Sequence, residues 1–260
     1  MDKLRRMVTK SRPATLLKAT ETALVLERIE RGWALVDRAR VAEPLAQLFD
    51  PSSYGSSAKA LRDGRGQAFQ VLGSFGVGAL RHYRRGGMTG ALWQDRYVFI
   101  GAQATRCFRE LRLLATLHSH NLPVPAPLAA RFVRSGLSYR ADILTAWLPG
   151  ANPLSAHVQT ATVADFHAIG HMLQRFHGAN INGAALWHAD LNAHNILLTD
   201  AGPALIDFDR CLLRKPKPVW QQANLARLLR SLTKLGFAAR ADFSNKLWPA
   251  LLAAYQGVQV

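Results

Sequence analysis

His188-Ala189-Asp190-Leu191-Asn192-Ala193-His194-Asn195, followed further on by Ile206-Asp207-Phe208-Asp209, is the stretch on which the reading of this chain turns. The first piece has the form H-x-D-x-x-x-x-N, and the second ends a short apolar run on a carboxylate. Between them, Ile196-Leu197-Leu198 and Ala204-Leu205-Ile206 flank Thr199-Asp200-Ala201-Gly202, which reads as a hairpin. Phosphoryl transfer needs a carboxylate near the acceptor hydroxyl, ligands for Mg2+, a cation on the nucleotide phosphates and a loop that approaches them closely. Asp190 suits the base or orienting role. Asn195, five positions on, can return its amide oxygen to the same cluster, and Asp207 falls at the hairpin end, where a carboxylate can bridge Mg2+ and phosphates. His188 is read as structural, bonding backbone near Asp207. Asp209 is read as pairing with Arg210 or serving structure, with a part in metal or substrate binding as the alternative.

The region before this stretch supplies the remaining parts. Gln67 to Tyr83 has the pattern of a hairpin turning at Gly73-Ser74-Phe75-Gly76, and Asp63-Gly64-Arg65-Gly66 lies just ahead of it. Gly64 and Gly66 would let backbone come close to phosphate oxygens. The second strand ends Ala79-Leu80-Arg81, where protein kinases place the lysine of Val-Ala-Ile-Lys, so Arg81 is the candidate cation. Residues 103–118 carry Phe108, Leu111, Leu114, Ala115 and His118 at helical spacing, an amphipathic helix facing a sheet, and Glu110 on it is the ion-pair partner for Arg81. His82-Tyr83-Arg84-Arg85-Gly86-Gly87 follows the strand, and Arg84 and Arg85 are candidates for acidic groups of a substrate.

Strands are also predicted at Thr22 to Glu27, Leu128 to Val133 and Tyr139 to Leu148, and a short helix over Ala42 to Phe49. Gly/Pro-punctuated stretches near 50–66, 84–90, 121–127 and 149–153 read as loops. Beyond Pro149 the pattern turns helical, with Phe166, Ile169, Gly170, Leu173 and Phe176 on one face of Val163 to His177. Leu225, Leu228, Leu229, Leu232 and Leu235 lie on one face of Trp220 to Leu235. The expected fold is α+β, protein-kinase-like and bilobal. An antiparallel-sheet N-lobe with glycine loop and helix spans 1–149, and a mainly helical C-lobe with the catalytic loop spans 150–260.

Among 260 residues, 33 Lys and Arg against 17 Asp and Glu give a formal +16, and most of the cations are arginines, so an anionic partner is expected. The composition, 49% hydrophobic and 19% charged, is that of a folded protein rather than a disordered or fibrous one. Cys107 and Cys211 form no metal or disulfide framework and suggest a reducing compartment. No apolar span of ~18 residues is present, so membrane contact would be peripheral. Residues 1–18, basic and punctuated by apolar side chains, read as a frayed tail, with a segment lying on the membrane surface as the alternative.

Leu80-Arg81-His82-Tyr83-Arg84-Arg85-Gly86-Gly87, then His188 to Leu198, then Leu205-Ile206-Asp207-Phe208-Asp209-Arg210, resemble the Kdo kinases of the lipopolysaccharide kinase family. Trp220, Asn224-Leu225, Arg227-Leu228, Arg230-Ser231-Leu232 and Lys234 also fit, and the likeness covers about residues 45–235. The resemblance implies ATP-dependent phosphorylation of the 4-hydroxyl of 3-deoxy-D-manno-octulosonic acid (Kdo) on Kdo-lipid A, an anionic glycolipid, in lipopolysaccharide core synthesis. It places the enzyme at the cytoplasmic face of the inner membrane, with Asp190 as the catalytic Asp and ATP and Mg2+ as cofactors. Asn195 and Asp207 match Mg2+ positions through the wider kinase pattern, and Arg81 departs from that pattern in replacing lysine. An aminoglycoside- or choline-type kinase shares the H-x-D loop but takes mostly cationic substrates. A basic nucleic-acid-binding module with vestigial kinase residues is the other alternative, yet no known nucleic-acid motif is present and no nucleic-acid partner is expected.

Overall fold

The computed structural model describes residues 24–61, 68–84 and 95–257. Gly64, Gly66, Arg85, Gly86, Gly87 and the N-terminal segment 1–18 lie outside the described residues. The chain divides into two compact units: residues 1–116 with 126–147, and 117–125 with 148–260.

The first unit is built on one antiparallel sheet. Its strands are Leu24–Ile29 (β1), Gly32–Asp37 (β2), Lys59–Leu61 (β3), Ala68–Gly73 (β4), Gly76–His82 (β5), Tyr97–Val98 (β6), Pro127–Ser135 (β7) and Ser138–Ala146 (β8). They run in the order β1-β2-β7-β8-β5-β4-β3, with β6 pairing β8. The β4–β5 hairpin turns where the sequence predicts: Gly73 pairs Gly76, and Gly76 takes φ +80°, a left-handed value that costs glycine nothing. Ala34, Val36, Val71, Leu80, Ala129 and Leu144 close the core on one sheet face. A short helix, Leu45–Leu48 (α1), and the longer Arg106–Ser119 (α2) accompany the sheet. On α2, Phe108 sets its ring edge-on against Phe132 of β7, centroids 5.3 Å apart. Leu117, not His118, takes the fully buried place in the last turn. The stretch expected as loop after Asp50 is a 3-10 helix, Pro51–Ser57, followed by β3. Asp50 accepts the backbone N–H of Ser52 at 3.0 Å as its N-cap, so a turn-rich sequence is organised rather than irregular.

The second unit carries the helices Val163–Gly178 (α3), Pro218–Lys234 (α4) and Trp248–Gln256 (α5). Asn152–Pro153 (β9), Ile196–Thr199 (β11) and Gly202–Leu205 (β12) form one small sheet, and Ala185–Trp187 (β10) pairs Leu212–Arg214 (β13) in another. Thr162 and Asp165 close a reciprocal capping box at the start of α3. Phe166 meets the rings of Phe237 and Phe243 at 5.8 and 6.1 Å. On α4 the buried face is Asn224, Leu225, Leu228 and Leu232, while Leu229 and Leu235 stay half-exposed. A polar side chain thus sits in the middle of a predicted leucine stripe, and its partner is found at the site.

Candidate active site

The β11–β12 hairpin explains why Asn195 and Asp207 belong together. Antiparallel pairing sets Ile196 opposite Leu205. The residues flanking this pair therefore emerge side by side at the open end, and the Ile206 N–H donates to the Asn195 carbonyl at 3.0 Å. Asp207 is the next residue. Its φ of +60° is the left-handed region that an L side chain seldom takes, and such values cluster at functional sites.

The loop carrying Asp190 is held from within. Asn192 accepts the N–H groups of His194 and Asn195 on Oδ1 at 2.8 and 3.1 Å and donates Nδ2 to the Asp190 carbonyl at 3.2 Å. The buried Asn195 donates Nδ2 to the same carbonyl at 2.9 Å, which fixes its amide oxygen on the other side. The Asp190 side chain is 56% exposed, so its carboxylate is available to a ligand.

His188 is the rivet under this loop. It is 1% exposed and its Nδ1 accepts the Asp190 N–H at 3.2 Å, so the ring proton sits on Nε2 and is donated to the Ile206 carbonyl at 3.1 Å. One neutral imidazole ties the Asp190 loop to the residue before Asp207. Burial holds its pKa below the ordinary value, as that tautomer requires. Phe208, 1% exposed, meets the ring edge-on at 5.4 Å. Asn224 of α4 then clamps His188 from both sides, donating Nδ2 to its carbonyl at 2.9 Å and accepting its N–H at 3.3 Å.

Two contacts at this site join residues that fit the family resemblance but were assigned no role in the sequence. Arg227 of α4 sets Nη1 3.4 Å from Asp190 Oδ1, and the Ser231 hydroxyl accepts the Ala193 N–H at 3.1 Å. The helical spacing of Asn224, Arg227 and Ser231 could have suggested a shared side of α4, but only the tertiary structure shows what it meets. Cys211 does more than fill space, since its Sγ accepts the Ala189 N–H at 3.3 Å.

In the first unit, Arg81 reaches from β5 to α2 and donates Nη2 to Glu110 Oε1 at 2.6 Å. Glu110 is buried, and its other oxygen accepts the Tyr83 hydroxyl, which burial drives well above the ordinary tyrosine range. The Arg81 guanidinium lies 4.8 Å from the Tyr83 ring centroid. Next to it His82 bonds Asp142 at 2.7 Å, and Asp142 also takes Arg131 at 2.7 Å. Arg84 is exposed.

Among the described residues no group of three or more His, Cys, Asp or Glu is arranged to hold a metal ion. The Asn195 amide oxygen and the Asp207 carboxylate are oxygen donors of the kind a hard cation takes. Two protein ligands, with the rest of the shell left to phosphate oxygens and water, is the usual Mg2+ arrangement beside a nucleotide.

An antiparallel sheet with a helix carrying the glutamate partner of a strand cation, then a helical unit with an H-x-D loop and a carboxylate-ended hairpin, is the protein-kinase-like fold. Solved structures agree at the level of fold. "WaaP in complex with acyl carrier protein" superposes with a TM-score of 0.51 at 16% identity, covering 84% of this chain and 88% of that one. A choline/ethanolamine kinase family protein from Mesorhizobium loti gives 0.51 at 15%, covering 86% and 76%. Within that class, residues 55–255 match the Lipopolysaccharide kinase (Kdo/WaaP) family, and the chain belongs to it. A 3-deoxy-D-manno-octulosonic acid kinase of Xanthomonas axonopodis pv. citri is 45% identical over 244 residues, 92% of this chain and 95% of that protein. One of Stenotrophomonas maltophilia is 42% identical over 227 residues, 86% and 89% of the two chains.

Proposed function

We propose that this chain transfers the γ-phosphoryl group of ATP to the 4-hydroxyl of Kdo on Kdo-lipid A. The observation that carries the reading is the open end of the β11–β12 hairpin, which sets Asn195 beside the residue preceding Asp207 and next to the Asp190 loop, in a chain of this family. Asp190 accepts the hydrogen bond of the sugar hydroxyl and takes its proton as the oxygen attacks phosphorus. Asn195 and Asp207 would hold Mg2+. When bound, that ion neutralises charge on the transferring phosphate. His188 and Asn224 keep the Asp190 loop and the hairpin end in fixed register, which is the positioning this chemistry depends on.

Arg81, aimed by the buried Glu110, would meet the nucleotide phosphates in place of the kinase lysine, with Gly64 and Gly66 allowing backbone to approach them. Arg84 and Arg85 would meet acidic groups of the glycolipid. A structure with ATP bound tests the nucleotide contacts: phosphate oxygens remote from Arg81 would remove it from the assignment.

Purified protein with Mg2+-ATP and Kdo-lipid A should transfer phosphate, and Asp190→Ala should slow the chemical step on the order of 10²-fold or more. Equal product from both proteins would take Asp190 out of the mechanism. An inert Kdo-lipid A beside a phosphorylated aminoglycoside would replace the acceptor.

Such an acceptor lies in a bilayer, and we place the enzyme on the cytoplasmic face of the inner membrane by peripheral contact. No described helix is long and apolar enough to cross a membrane. Val98, Ile100 and Leu137 stand 69, 80 and 82% exposed on one edge of the first unit, where the Phe99 N–H donates to the Leu137 carbonyl. Arg134 lies over the Phe99 ring at 4.7 Å. Exposed aliphatic side chains rimmed by a guanidinium suit an anionic interface.

A further inference from the structure

The second unit has a cavity of about 290 Å³ immediately beside Asp190, walled by Asp190, Asn192 and His194 of the loop and by Arg227, Arg230 and Lys234 of α4. The helix explains the wall. Positions 227, 230 and 234 are three and four residues apart, so their side chains project on one side while Leu225, Leu228 and Leu232 are buried on the other. The loop side is rigid, because Asn192 holds both His194 and Asn195 and the Ser231 hydroxyl holds Ala193.

Charge then decides what fits. Asp190 is the one acid in the wall, against three cations and an imidazole. Its contact with Arg227, at 3.4 Å between half-exposed side chains, is longer than the 2.7–2.9 Å of a firm charge-assisted bond. Arg227 is therefore not committed to Asp190 and retains donors for another oxyanion. A cavity with this excess of guanidinium and ammonium calls for an anion that arrives with the hydroxyl to be phosphorylated. It opens to solvent, and its volume is at the small end of ligand pockets, enough for a sugar ring.

We propose that Arg227, Arg230 and Lys234, with His194, form the acceptor subsite that binds the carboxylate of the sugar and so selects an acidic acceptor. The inference rests on the acceptor reading above. In the ring form of a 3-deoxy-octulosonic acid, the carboxylate is carried two ring carbons from the carbon bearing the 4-hydroxyl. A hydroxyl seated at Asp190 therefore brings the carboxylate to the neighbouring wall rather than to a distant part of the molecule. The guanidinium forks suit it as a bidentate partner. A lipid phosphate offers the same oxyanion chemistry, but it lies on another sugar, farther from the 4-hydroxyl than the carboxylate is.

The test measures KM for acceptor and for ATP with wild type, Arg230→Gln, Lys234→Gln and the double variant. Three acceptors are used: Kdo-lipid A, its carboxyl methyl ester, and Kdo on dephosphorylated lipid A. The expected result is a rise in KM for the first and third acceptors on the order of 10-fold for each charge removed, with KM for ATP where it was. The ester should be a poor acceptor for wild type and no poorer for the double variant. Variants that keep the wild-type KM for Kdo-lipid A would overturn the subsite while leaving the acceptor reading intact. An effect that disappears on dephosphorylated lipid A would overturn it in favour of a lipid phosphate. A wild type that transfers nothing to any of the three would sink the acceptor reading, and the subsite with it.

Discussion

His177 and His82 are both enclosed histidines, yet their partners push them in opposite directions. His177 has Tyr255 hydroxyl at 2.9 Å and the edge of Trp220 at 5.2 Å, and the backbone carbonyl of the same residue accepts Gln221 Nε2. Burial drives its pKa from 6.5 down to about 4, with Asn224 and His188 as smaller influences of opposite sign. The unfolded chain thus binds the proton first on acidification. Stability complete above pH 6.5 is lost as pH falls from there towards 4, by roughly 3 kcal/mol at the end of that window. His82 is raised, chiefly by its hydrogen bond to Asp142, so its contribution is present below 6.5 and lost as pH climbs through the folded value. Urea midpoints measured from pH 7 to 4 should fall more steeply for wild type than for His177→Gln. Equal slopes would show that other groups carry the acid sensitivity.

At the scale of elements, α3 and α5 touch at a position where only glycine fits. A Cβ built on Gly170 would lie 2.2 Å from the Leu251 carbonyl oxygen and 2.9 Å from the Ala254 side chain. The obstacle is backbone, which cannot rotate away, so Gly170→Ala must separate the helices. The cost should be about 1–3 kcal/mol, read as a lower thermal midpoint. A variant as stable as wild type would mean the helices can separate freely. The periodicity placed Gly170 on the apolar face of α3, but the sequence carried no sign of what it meets. Trp248 to Gln256 is apolar nearly all round and so shows little helical period. The same reason hid β2, whose run Ala34-Leu35-Val36 is buried throughout and does not alternate.

Across the whole molecule, +16 would concentrate the protein near anionic surfaces, while the Val98, Ile100 and Leu137 edge would supply short-range anchorage. The two contributions separate by salt. Wild type should co-float with vesicles containing anionic phospholipid, and a variant with Ile100→Asp and Leu137→Asp should float less at physiological salt, where the long-range attraction is screened. Flotation equal to wild type would remove this edge from the proposed membrane contact.

What the sequence determined by itself was local. Asp190 to Asn195 is one loop, and Asn195 to Asp207 is one hairpin, so residue spacing alone is enough to bring their backbones together. The β4–β5 hairpin was legible for the same reason, its turn being written in Gly73 and Gly76. Contacts made over long stretches of chain were decided by tertiary structure. Asn224 reaches His188 across 36 residues and Arg227 reaches Asp190 across 37. Arg81 meets Glu110 across 29 only because α2 lies against the sheet that carries β5. A helix's periodicity states which side is apolar, but which loop its polar side faces depends on how the helix is docked. That docking turned three cations on α4 into the wall of a cavity beside Asp190.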